Sequence, residues 1–447
     1  MNRAKGYKLI PLIAVWGLLC GFFGVDIPKA VAATSSKQLL TQADFKYLGA
    51  FAMPDNAPKG DAMFSMGLTL RYVNGELHML SAAHGGPQDV YEVRVPGLSM
   101  KAPFPQAQIV KDWGEITGGK AYTANGDFYI NGLYWDEADK RLYWSYGSQY
   151  NAIGGDDPAV GYSTLNDTTG TITPVGVWRF TGRGCKATQG CVMPIPQWFA
   201  DANTGGKRLG AGCGGPYSVY TAGPVHLGPA LAAFSPPDPV VNPDRSSLQF
   251  TTLVGYPFTA TEYGPPDRGH RDPDYYGGSG DPTVWNPRNG VGYWTGLDVL
   301  YQAGVWIDLP GKHGLIFFPT LGNGRVWYEG STVHAERGSH WWFVYDPVDL
   351  AKVAQSQKQQ WEIQPAATWQ VQYPGLTYPL GGWSDVVGNL ISGVTYDNIT
   401  RRLYVAVRLG DPEYGLYGVA KVHVYEVQDN ATSDTTPPAA PVGLRVK

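Results

Sequence analysis

One short pattern recurs along the chain and restricts its fold more than any other feature. Residues 393–407 read Gly-Val-Thr-Tyr-Asp, a polar turn, then Arg-Leu-Tyr-Val-Ala-Val. β-Branched and aromatic residues on both sides of a polar turn predict a β-hairpin. Gly132-Leu-Tyr-Trp-Asp leads in the same way into Leu142-Tyr-Trp, and Gly67-Leu-Thr-Leu into Leu77-His-Met. In these three copies the leucine falls ten residues after the glycine. A fourth copy, Gly304-Val-Trp-Ile-Asp, reaches Leu315 after a turn one residue longer. A hairpin repeated in this way is the signature of a repeat array.

Short aromatic strands lie ahead of the hairpins or where one is due, at residues 45–51, 109–116, 195–200, 250–258 and 369–373. A third class follows the hairpins, at residues 90–95, 177–180, 342–345 and 422–427. Four antiparallel strands per unit, arranged about an axis, make the blade of a β-propeller. Such an array must close on itself, because an isolated blade exposes an edge and an apolar face. The fold class is therefore all-β, with 58 Gly and 35 Pro suiting many turns. From Gly132 to Gly304 is 172 residues, about twice the 89 from Gly304 to Gly393, so a cryptic hairpin is due near residues 218–223. Residues 217–223 followed by Leu231-Ala-Ala-Phe234 supply it. The count is five blades, rising to six or seven if residues 259–293 hold more.

The Gly-Val-x-Tyr-Asp…Arg-Leu-Tyr-Val-Ala hairpin resembles the inner strand pair of NHL and gluconolactonase-like propellers. The resemblance covers four hairpins and implies the propeller fold. It brings no catalytic signature, since the Glu-Gly-Pro opening of a metal-dependent lactonase is absent before Gly67.

The ends of the chain carry different signals. Arg3, Lys5 and Lys8 precede an apolar run from Leu9 to Val25 and a small-residue site at Ala30-Val-Ala32, which together predict a signal peptide over residues 1–32. Pro11 interrupts the run, which is short for a membrane span. No later stretch is apolar enough to insert, so the mature chain is expected to be secreted or periplasmic. Residues 33–44 read as a flexible segment, residues 45–428 as the propeller, and residues 429–447 as a Pro/Thr-rich linker. Pro441-Val-Gly-Leu-Arg-Val446 is similar to the first strand of a fibronectin type III domain. Cleavage removes four of the 34 basic and one of the 38 acidic side chains, leaving a formal charge of −7. That balance excludes nucleic acid as a partner, whose binding needs clustered Lys and Arg.

Of the cysteines, Cys185, Cys191 and Cys213 remain after cleavage. Cys185 and Cys191 are spaced to close a short loop, leaving Cys213 over. A zinc site needs a fourth ligand, and no neighbouring His is spaced to give one. His334 and His340, six residues apart and followed by a strand, match no helical zinc pattern. No metal site is expected, and no cofactor is indicated.

Propeller loops converge on the axis at one face, where binding sites collect. The loops leaving the second strands carry His84, Gln149, Tyr150, Asn323, Arg325 and Arg408. The entries to the inner strands add Asn131, Gln302 and Ser392. The long insertion at residues 259–293 adds His270, Tyr275, Tyr276 and Trp285. One reading is a polysaccharide lyase: an arginine neutralises a uronate carboxylate while His and Tyr move protons. Arg325, Arg408, His84, His270 and Tyr150 are its catalytic candidates. Asn131, Gln149, Asn323, Trp285, Tyr275 and Tyr276 are candidates for holding substrate, the aromatics by stacking on sugar rings. A histidine in a glycine-rich turn is ordinarily a surface residue, so convergence on one face carries the reading. A second reading is a glycoside hydrolase, which needs paired carboxylates at a set separation. Asp281, Asp298 and Asp385 are placed for that role. Asp136, Asp308 and Asp397 recur at one position in each hairpin and read as turn residues instead. A third reading is a non-catalytic recognition or adhesion module. All three converge on an extracellular polysaccharide or surface glycan as partner.

Overall fold

The structure is a computed structural model that describes residues 37–54, 62–84, 89–122, 129–147, 158–183, 188, 190–213, 229–256, 299–300, 303–329, 332–378, 380–381, 389–411 and 419–429. Of residues 62–65, 84, 299–300, 321–337, 381 and 409–411 it describes the backbone alone. Strands β1 (Gln38–Leu39) and β2 (Phe45–Ala52) open the described chain. Blade one is β3 (Ala62–Val73), β4 (Glu76–His84), β5 (Asp89–Arg94) and β6 (Gln108–Glu115). Blade two is β7 (Tyr129–Asp136), β8 (Arg141–Gly147), β9 (Val160–Asn166) and β10 (Thr171–Trp178). Blade three is β11 (Gly190–Pro194), β12 (Leu209–Cys213), β13 (Leu231–Phe234) and β14 (Phe250–Val254). The fourth sheet runs through β15 (Val299–Leu300), β16 (Gly304–Asp308), β17 (Lys312–Phe317), β18 (Thr320–Glu329), β19 (Thr332–Tyr345), β20 (Ala367–Val371) and β21 (Leu380–Gly381). Its blade is β16, β17, β19 and β20, with β18 folded back on β19 as an extended hairpin. Blade five is β22 (Ile391–Asp397), β23 (Arg402–Asp411) and β24 (Val419–Val427), completed by β2 from the other end of the chain. The chain is a five-bladed β-propeller, closed by antiparallel pairing of β2 with β24.

Alternation along each strand explains why the strands are apolar on both faces. In β23, Leu403, Val405 and Val407 face the seam with blade four, while Tyr404 and Ala406 face the seam with blade one. The described core falls into five clusters, one at each seam between neighbouring blades. The seam between blades one and two also holds a buried ion pair. Arg71 donates to Glu92 at 3.0 and 2.9 Å, with side chains 3% and 2% exposed. Trp113 Nε1 donates to the same carboxylate at 2.9 Å, and Arg71 lies over the Trp113 and Trp135 rings.

The repeated glycine has a steric reason. The inner strands crowd at the axis, and a Cβ on Gly132 would stand 2.7 Å from Cys191 Cα. A Cβ on Gly67, whose φ is +75°, would stand 3.1 Å from the Gly132 backbone. The turn aspartates divide. Asp136 accepts from the N–H groups of Ala138 and Asp139, and Asp397 from Ile399 and Thr400. Asp308 instead pairs with Lys37 at 2.6 Å and accepts from Trp198 Nε1 at 3.0 Å.

Blade three departs from the sequence reading. Its inner pair is β11 and β12, and Leu231–Phe234 is the third strand rather than the second. The run Leu-Gly-Ala-Gly-Cys carries too little apolar side chain to signal a strand. Of residues 195–200, expected to be extended, the stretch from Gln197 is helical, with Pro196 at the N-cap, and the helical turns run on to Thr204. Residues 177–178 end the outer strand of blade two, and the third strand is β9, whose Gly and Ser mask its pattern. Cys213 is not left over: it is disulfide-bonded to Cys191 across the β11–β12 pair. From Lys37 the N-terminal segment is tied down rather than loose. Strand β1 pairs in parallel with β17, and buried Asp44 pairs with Lys312. The segment read as a signal peptide, most of the segment read as a linker, residue 185 and residues 259–293 lie outside the described residues.

Candidate functional site

Inner strands β7 and β22 carry the same irregularity near the end where they begin, called here the upper end, and β3, which starts further out, carries it at its middle. The ladder slips between Met66 and Leu68, between Ile130 and Gly132, and between Ile391 and Gly393. Each slip is a β-bulge with one residue unpaired: Gly67, Asn131 and Ser392 respectively. Bulges re-aim side chains and collect beside functional sites. The three strands approach one another to Cα separations within 8 Å.

Two of the three bulge residues are polar and buried. Asn131 is 2% exposed and Ser392 is 1% exposed. Neither amide atom of Asn131, nor the Ser392 Oγ, has a hydrogen-bond partner among the described residues. Ser145 Oγ, on β8 beside Gly132, is buried in the same condition. An unmade bond at a buried polar group costs roughly 1–3 kcal/mol, so such groups are normally satisfied by protein, water or ligand. The upper axial end thus concentrates uncharged donors and acceptors.

A second polar cluster lies where β19, the chain after β20 and the entry to β22 meet. Burial pushes the His340 imidazole down to about 4, opposed by its bond to the Asn389 carbonyl. It is neutral at physiological pH. Nε2–H therefore donates to Asn389 O at 2.6 Å, and Nδ1 accepts from Tyr378 Oη at 2.6 Å. Tyr378 Oη in turn accepts from the Tyr373 N–H at 3.1 Å. Both ring nitrogens are satisfied, so His340 clamps two loops and holds no proton for transfer. His423, across the Tyr373 ring, is also held neutral, first by burial and then by Lys421. Its Nδ1 lies 3.1 Å from Tyr47 Oη.

Of the candidates read from sequence, Asn131 is at the axial bulge, together with the inner-strand entry Ser392. His84 ends β4, its Cα opposite Ala62. Asn323 and Arg325 belong to β18 rather than to a loop, Asn323 with its Cα opposite Arg337. Arg408 is half-buried near the end of β23, its N–H bonded to the Leu390 carbonyl at 2.9 Å. Gln149, Tyr150, His270, Tyr275, Tyr276, Trp285, Asp281, Asp298 and Asp385 lie outside the described residues. Ser145 was missed because a serine within a buried strand has no signal of its own. Tyr47, Tyr378 and His423 were missed because their partners are distant in sequence.

No protein-family model and no curated protein matches the sequence. Solved structures of similar fold include a mannose phosphorylase from Leishmania mexicana in complex with phosphate ion, with TM-score 0.35 and 10% identity, covering 86% of this chain and 89% of that one. A GH43_1 enzyme from Xanthomonas citri complexed with xylose has TM-score 0.37 and 9% identity, covering 82% and 88%. An alpha-L-arabinanase mutant from Cellvibrio cellulosa has TM-score 0.37 and 8% identity, covering 81% and 90%. Scores and identities this low leave each neighbour's chemistry its own.

Proposed function

We propose that this chain is an exported propeller that binds an extracellular glycan at the upper mouth of its axis. The observation that carries the reading is the pair Asn131 and Ser392, buried at equivalent bulges with polar atoms that no described residue satisfies. An amide and a hydroxyl supply donors and acceptors without charge, which matches sugar hydroxyls better than it matches an ion. Export rests on the basic, apolar and small-residue succession of the first 32 residues.

Binding and cleavage are separated by one experiment. The mature chain is run through gels containing xylan, arabinan, mannan, alginate or polygalacturonate. Products are followed by the ultraviolet absorbance of unsaturated uronates and by reducing ends. Retardation by at least one polymer is expected. A rise in both product signals makes the protein a lyase, with His84, Tyr150, Arg325, Arg408 and His270 the residues to substitute. Reducing ends alone make it a hydrolase and turn attention to Asp281, Asp298 and Asp385. Free migration in every gel, with no product, overturns the glycan reading.

A further inference from the structure

An aromatic groove of about 250 Å3 opens on the outer strands, between β20 of blade four and β2 of blade five. Trp342, Trp369 and Tyr425 form its buried floor, and Phe45 and Tyr47 are half-buried in it. The rings are mutually fixed: Trp342 meets Trp369 at 5.8 Å and Tyr425 at 5.1 Å, and Phe45 meets Trp342 edge-on at 4.9 Å. Hydrogen bonds hold the set from behind. Trp342 Nε1 donates to Tyr373 Oη at 2.9 Å. Tyr47 lies 3.1 Å from His423 Nδ1, its hydroxyl pushed up to about 12 by burial and so a proton donor to that neutral ring.

A seam that served packing alone would be rimmed by whatever side chains kept it soluble. This groove is rimmed by three exposed amides, Gln42, Gln370 and Gln372, with half-buried Val371 and exposed Pro374 between and beside them. None makes a side-chain hydrogen bond among the described residues, and no charged side chain lines the groove. Flat rings present a face for the C–H side of a pyranose, and neutral amides pair with its hydroxyls. An anionic or cationic ligand would find no counter-charge. The volume falls below the roughly 300–1,000 Å3 of pockets that enclose drug-sized ligands, so a short saccharide segment fits and a large ligand does not.

We propose that the Phe45–Tyr47–Trp369 groove is a second saccharide site, on the rim of the propeller, that takes a short stretch of an uncharged glycan. It stands on different residues from the axial site and does not depend on it. Two sites on one molecule would let a polymer be held by avidity, with the second contact made at high effective concentration.

The test is calorimetric titration of the mature chain with cellohexaose, xylohexaose and mannohexaose. At least one is expected to bind. Gln370→Ala/Gln372→Ala changes only exposed side chains and is expected to weaken that binding tenfold or more, with its thermal unfolding unchanged. Repeating the titrations of both proteins in an Asn131→Ala/Ser392→Ala background removes the axial contacts, so that the heat that remains reads the rim site alone. Equal affinity in the Gln370→Ala/Gln372→Ala protein, or no binding of any of the three, overturns the proposal. Uptake of a proline-rich peptide in place of all three sugars also overturns it and assigns the groove to polyproline segments, which likewise seek aromatic troughs.

Discussion

At the scale of single residues, two buried groups set measurable limits. Glu92 is the main counter-charge of Arg71 in the seam between blades one and two. Removing one partner of a buried pair costs about 3–5 kcal/mol. Asp167, whose side chain is 61% exposed, still reaches Arg71 at 2.7 Å, so Glu92→Ala is expected at the low end, about 3 kcal/mol. A urea unfolding midpoint shifted by the equivalent of under about 1 kcal/mol, the size of a surface pair, would contradict this. His340 gives a pH dependence whose sign is fixed by burial. Its pKa falls to about 4 in the folded chain and returns to about 6.5 on unfolding. Between those values the unfolded state binds the extra proton. The stabilisation is therefore complete above about pH 6.5 and is lost as pH falls towards about 4, by up to about 3 kcal/mol. His423 is displaced in the same direction and adds to the slope. In His340→Gln the stability curve is expected to flatten by about one proton over this window. Parallel curves for the two proteins would refute the assignment.

At the scale of elements, legibility followed how much side chain each strand offers to a pattern. The hairpins at Gly132, Gly304 and Gly393 were readable because β-branched and aromatic residues flank a polar turn. The first hairpin shares the ten-residue spacing but reaches it by another route, an Asn74–Gly75 turn with both residues at positive φ and a glycine in the bulge itself. Strands β9 and β12 were not readable, because Gly, Ser and Ala interrupt the period of a buried strand, and β11 was not, because its apolar run Cys-Val-Met is only three residues long before Pro194. Bulges are invisible in sequence, so Asn131 and Ser392 were legible as strand entries but not as a matched pair. The disulfide was misassigned because spacing favours Cys185 with Cys191, whereas the β11–β12 register brings Cys191 and Cys213 to a Cα separation of 5.8 Å. Peptide mapping of the non-reduced protein should find Cys191 joined to Cys213. Cys213→Ala should lower stability by about 3 kcal/mol, the chain-entropy value for a loop of this order. A Cys185–Cys191 peptide would contradict the register.

At the scale of the whole molecule, the ring is closed by a strand from the far end of the chain. Strand β2 covers the edge of β24 and places Phe51 in the seam with blade one. Deleting residues 37–52 leaves that edge open, and edges of this kind recruit other chains. The truncated protein should lose its single cooperative unfolding transition and aggregate; a monomer with wild-type unfolding would show that closure is dispensable. The central claim is that the closed ring presents buried, uncharged polar groups at its axial mouth to a glycan. The most direct measurement is the affinity of the mature chain for the polysaccharide that retards it, compared with Asn131→Ala/Ser392→Ala at matched thermal stability. The account predicts binding at least tenfold weaker in the double variant, about 1.4 kcal/mol or more. Unchanged affinity in a folded double variant would contradict it and move the ligand away from the axis.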